Sequence, residues 1–164
     1  KLIWAFYKHE STPRKPQRII VYRDGVSESE FEKVLSSELL AIRKACESFP
    51  GRYRPGITFI VLQKQTHTRL YCQNENDGVG DAKNIPPGTV VDCDITSPWY
   101  TEFYLAAHKS NFGTSKPGRY CVLWDDNKLT MDNLQTMTFA MCHLYEPCTK
   151  TVSQPAATYY AHHA

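Results

Sequence analysis

Four β-branched and aromatic residues, Ile19-Ile20-Val21-Tyr22, run into Arg23-Asp24-Gly25 and then into a helix start, and this succession limits the possible folds more than any other stretch. The run does not alternate polar with apolar residues, so it reads as a strand buried on both faces. Gly25 breaks it. Ser27-x-x-Glu30 is a capping box, in which the two side chains satisfy backbone groups at a helix start. Phe31, Val34, Leu35, Leu39, Ile42, Ala45 and Cys46 recur near helical period and predict a helix of about five turns. A second non-alternating run, 57–62, predicts another buried strand and completes a βαβ unit. In open α/β sheets ligands gather at the carboxyl ends of strands, which is where Asp24 falls; alternatively Asp24 only fills a turn with Gly25.

The rest of the chain supplies more of the same layered pattern. Residues 1–7, KLIWAFY, read as part of a helix, 8–17 as a basic turn, and 69–72 as a short strand. Residues 73–87 carry Asn, Asp, Gly and Pro without periodicity and predict a mobile surface insertion. Strands over 89–95, 101–108 and 119–124 form a predicted meander. Leu134, Met137, Ala140, Met141 and Leu144 mark a helix over 132–145, and Pro155 opens a last helix at a permitted first-turn position. The expected fold is α/β, a mixed sheet flanked by helices. Neither end carries a helix cap, so the chain is expected to be a piece of a longer one.

Composition narrows function only by exclusion. A formal net charge of +2 does not announce a nucleic-acid binder, so any polyanion must be held by local clusters of Lys and Arg. The six cysteines include no C-x-x-C pair and read as reduced core thiols of an intracellular protein. Cys142, His143 and Cys148 fit no standard zinc spacing. No run of about 20 apolar residues is present, so no membrane contact is expected.

Beyond these patterns, Tyr22-Arg23-Asp24-Gly25-Val26-Ser27-Glu28 resembles the signature of the Piwi domain of eukaryotic Argonaute proteins. Further matches follow in family order: Pro55-Gly56-Ile57-Thr58-Phe59-Ile60-Val61, Gln63-Lys64, His67-Thr68-Arg69-Leu70, Pro87-Gly88-Thr89-Val90-Val91-Asp92, Gly113-Thr114-Ser115-Lys116-Pro117, Leu123-Trp124-Asp125-Asp126-Asn127 and Tyr159-Tyr160-Ala161-His162. The resemblance implies an RNase H-like fold and the C-terminal portion of a Piwi domain, over residues 1–164. It also implies RNA-guided silencing, with a small guide RNA and a target RNA as partners, in the cytoplasm or nucleus.

Slicing members of that family hydrolyse a phosphodiester with two divalent ions, Mg²⁺ or Mn²⁺, held by two Asp, one Glu and a last Asp or His. The resemblance places the second aspartate at Asp24 and the last member at His162, and the other two upstream of Lys1. It places guide-phosphate contacts at Lys64, Arg69, His108, Lys116, Tyr145, Lys150, Ser153 and Tyr159. Such contacts suit a protein that must accept many guides and leave base edges free for pairing. Gln65 and Pro147 depart from the basic residues usual there, and with Glu146 predict a weaker grip. Animal relatives also bind tryptophans of GW-repeat silencing proteins, in a region that here includes Phe6, Tyr7, Lys15, Phe49 and Tyr53. Aromatic and lysine side chains of this kind can sandwich an indole. Equally, Phe6 and Tyr7 pack inward and Tyr53 supports a turn. A guide-loaded binding module that never cuts would carry the same residues.

Overall fold

The two non-alternating runs lie side by side. The structure, a computed structural model, describes residues 1–9, 14–110 and 113–164; part of the basic turn, 10–13, falls outside them. Strand β1 (Arg18–Asp24) pairs in parallel with β2 (Gly56–Gln63), and Asp24 stands opposite Leu62. Strands β3 (Thr89–Val91), β4 (Thr101–Ala106) and β5 (Gly118–Asp125) form the antiparallel meander, and β5 closes against β2. The result is a mixed five-stranded sheet in the order β1-β2-β5-β4-β3. Central β2 is buried along six consecutive residues, which is why its sequence does not alternate.

Helices cover both faces. α1 (Leu2–His9) precedes the sheet and buries none of its residues. The βα connection continues through α2 (Phe31–Val34), a π-helical stretch (Leu35–Leu39) and α3 (Leu40–Glu47). The hydroxyls of Ser36 and Ser37 both donate to the Lys33 carbonyl, competing with the helical ladder where it widens. This helix lays Phe31, Val34 and Leu39 on Ile57, Phe59, Val61 and Cys121. On the other face α4 (Met131–Met141) lies against β4 and α5 (Ala156–His162) against β1. There Leu134 and Cys142 join Ile60, Leu62, Leu105 and the stacked rings of Phe103 and Tyr120, 5.1 Å apart. Each such large side chain stabilises the fold by roughly 1.5–3 kcal/mol when taken out of water.

Several expectations need correction. Residues 69–72 form no strand, only a bridge from Tyr71 to Asn84, because Arg69 ties its own segment down by donating to the carbonyls of Thr66 and Thr68. The 73–87 segment is a surface loop, as expected, but its end is anchored to the body: Asn84 and Ile85 are buried, and Asn84 bonds across to Gly113 and Ser115. The strand expected to reach residue 95 stops at Val91, short of the left-handed Asp94. The 132–145 helix ends at Met141, and Pro155 is the N-cap of α5 and not part of its first turn. All six cysteines are free, but Cys93 and Cys148 are exposed and not core thiols. Burial pushes the thiols of Cys121 and Cys142 up to about 12.

Candidate functional site

Asp24 ends β1 at the sheet's carboxyl edge. Gly25 donates to the Leu62 carbonyl at 3.1 Å, carrying the ladder one residue further, then turns the chain away with a φ of +72°. Two groups converge on one carboxylate oxygen: Lys64 Nζ lies 2.6 Å and His162 Nε2 3.3 Å from Asp24 Oδ2. The Asp24 side chain is 18% exposed, against 37% for Lys64 and 54% for His162, so the carboxylate is recessed between more open partners. Its backbone is fixed from behind. Arg23 donates to the Asp24 carbonyl and is itself clamped by Glu38, at 3.0 Å, from the π-helical stretch. The bracing pair Arg23 and Glu38 was not singled out by sequence reasoning, although Arg23 is adjacent to Asp24.

Asp24 and His162 supply two of the ligands a divalent cation would need. A carboxylate oxygen and an imidazole nitrogen are both ligand types for such ions, and the Lys64 ammonium shows that the spot already attracts positive charge. Among the described residues no group of three or more His, Cys, Asp or Glu is placed to hold a metal.

Beside Asp24 runs a cationic groove. Lys64, His108, Lys116 and Ser153 line a cavity of about 300 Å³. His108 and Ser153 also line a neighbouring cavity of about 700 Å³ with Lys109, His143, Lys150 and Tyr159. Tyr145 stacks on Tyr159 at 4.8 Å and reaches His163 at 3.3 Å, while Tyr159 and Ser153 share a 2.8 Å hydrogen bond. Seven of the eight expected phosphate contacts thus come together; Arg69 lines neither cavity and holds its loop. Burial lowers the pKa of His108, so its ring is neutral near pH 7 unless an anion approaches. Sequence reasoning missed Lys109, and it missed Asn84, whose amide accepts from Ser115 N–H and donates to the Gly113 carbonyl, bracing the wall that holds Thr114 and Lys116. No local pattern marks Asn84.

On the opposite face, the turn after Asp24 is tied into the sheet by Arg119. Its guanidinium bonds Glu102, Glu28 and Gln63, and Gln63 donates to the Val26 carbonyl at 2.7 Å. Burial opposes the charge on Arg119, but the hydrogen bonds to Glu102 and Glu28 outweigh it and raise its pKa. Farther off, Lys15 lies directly over the Tyr53 ring, 5.4 Å from its centroid, and the buried Tyr53 donates its hydroxyl to the Pro16 carbonyl. Tyr53 therefore does support a turn. Phe6 is exposed and lines a shallow pocket with Lys15, while Phe49 packs against Trp4, and Trp4 against Tyr7.

The mixed five-stranded sheet flanked by helices matches the RNase H-like fold of Piwi domains. The Piwi domain model matches residues 1–164, and the chain belongs to that family. It is similar to the C-terminal lobe of a budding yeast Argonaute, with a TM-score of 0.91 and 31% identity over 98% of this chain and 34% of that one. Kluyveromyces polysporus Argonaute with a guide RNA gives 0.83 and 32%, covering 91% and 19%, and Drosophila Piwi gives 0.78 and 32%, covering 91% and 20%. The chain thus spans about a third or less of the length of each of these structures.

Proposed function

We propose that the protein binds a small guide RNA along the cationic groove and, in its full length, cleaves a paired target RNA at the Asp24 site. One observation carries the reading: a recessed carboxylate with an imidazole at 3.3 Å opens beside a groove of lysines, and Lys64 belongs to both. Guide phosphates would be held by Lys64, Lys116, Lys150 and the Tyr145, Ser153 and Tyr159 cluster, with Arg69 at the margin. Family membership and the likeness to an Argonaute solved with a guide RNA support this. Asp24 and His162 would hold Mg²⁺ or Mn²⁺, and the ion, when bound, would supply a Lewis acid that activates water and offsets charge on the scissile phosphate. The remaining carboxylates would come from other parts of the full-length protein. The setting would be cytoplasmic or nuclear.

The second reading is a guide-loaded module that silences by recruiting GW-repeat proteins. The exposed Phe6 beside Lys15 favours it, since a peptide indole could lie on that ring at the pocket edge. The gap between Lys15 and Tyr53 is too narrow to admit an indole, so Phe49 and Tyr7 would contribute only from the flank.

The groove is tested by salt dependence. In the full-length protein, Lys116→Ala or Lys150→Ala should weaken binding of every RNA sequence alike and lower the salt slope by about one ion each. Loss confined to particular sequences would contradict phosphate recognition.

A further inference from the structure

We infer that Lys64 couples the groove to the carboxylate, so that RNA in the groove draws the ammonium away and frees Asp24 for a divalent cation. This rests on the reading above and adds a coupling to it: guide and metal each favour the other's binding. Lys64 has one charge and two places to put it. Its side chain lines the cavity with His108, Lys116 and Ser153, yet its Nζ sits 2.6 Å from Asp24 Oδ2. That oxygen is also the one facing His162, so it is the one a cation held by both residues would use. A lysine ammonium donates hydrogen bonds and accepts none, so a divalent ion at the same oxygen meets it as a like charge.

The ion pair is partly open to water and therefore weak enough to exchange partners. A backbone phosphate entering the groove presents the competing acceptor. Lys64 then leaves Asp24 with its full negative charge at the moment a substrate duplex can form. Without RNA, the ammonium keeps the carboxylate neutralised. Lys116 lines the same cavity but makes no ion pair with Asp24, so it shares the phosphate and not the coupling. Because coupling between two binding events is reciprocal, metal should tighten RNA binding by the same factor.

The test is Mn²⁺ titration of the full-length protein, read by electron paramagnetic resonance, with and without a saturating small single-stranded RNA. The expected result is a rise in Mn²⁺ affinity of roughly five-fold or more on loading, the low end of typical couplings. Lys64→Met, which keeps the stem and removes the charge, should bind Mn²⁺ tightly without RNA and change less than about two-fold with it. Lys116→Met at saturating RNA should retain the rise, which separates Lys64 from the general field of a bound polyanion. No rise in the wild type, or an equal rise in Lys64→Met, overturns the coupling. Asp24→Asn is the control for the underlying reading: if it binds Mn²⁺ as the wild type does, or if RNA fails to bind at all, the site assignment falls, and the coupling with it.

Discussion

Replacing Arg119 by methionine would strip the cation from a carboxylate that is almost wholly out of water. The Glu102 side chain is 1% exposed and that of Arg119 14%. Glu102 also accepts from the Ser97 N–H at 2.7 Å and the Cys121 thiol at 3.3 Å, and both donors remain in the variant. Removing one partner of a buried pair costs about 3–5 kcal/mol, and the surviving donors place this loss near about 3. For a domain of this size that lowers the thermal midpoint by about 6–12 °C. Adding Glu102→Gln removes the stranded charge and should restore at least about 1 kcal/mol. The loss also cuts the tether from Arg119 through Glu28 and Gln63 to the turn after Asp24, so amide exchange at Gly25 and Val26 should quicken. Urea and thermal denaturation measure the first effect, and hydrogen exchange the second. A loss under about 1 kcal/mol, or a double variant no better than the single, would refute the claim that this pair is held by burial and mutual charge.

Asn84→Ala should cost about 1–3 kcal/mol, because it leaves the buried Ser115 N–H without its acceptor, and should weaken binding of all RNA sequences equally; denaturation and filter binding check both. His108 faces Lys64 and Lys116 in one cavity and neighbours Lys109, and burial holds its pKa below the usual histidine value. The unfolded chain therefore takes the proton first, so His108 removes stability as pH falls through about 6.5, whereas bound phosphate favours the charged ring. RNA affinity should accordingly rise as pH falls from about 8 to about 6, and His108→Asn should flatten that profile.

Strand β2 was legible because it is buried on both faces, and an unbroken run such as 57–62 has few other readings; β1, read the same way, is instead the edge strand of the sheet and none of its residues is buried. Helix 31–47 was equally legible from its period, yet the π-helical stretch inside it was not, since it depends on two serine hydroxyls reaching one carbonyl. Asp24 stood out locally through the strand-turn-helix succession. His162 and the groove residues did not: Lys64, His108 and Ser153 come from distant segments, and only the family resemblance brought them together before the fold did. Residues 73–87 are the surface loop that was expected, but its anchoring was not legible, because Asn84 finds its partners some thirty residues away. The same holds for Arg119, whose partners lie on three other segments.

Cleavage by the full-length, guide-loaded protein tests the central claim most directly. A matched target RNA is followed in single-turnover reactions with Mg²⁺, for the wild type and for Asp24→Ala, alongside guide affinity for each. The account predicts cutting opposite the guide by the wild type, none by the variant, and guide binding that is not weakened, because the phosphates are held by the groove and losing Asp24 only releases Lys64 toward it. Cleavage by Asp24→Ala at the wild-type rate would contradict it.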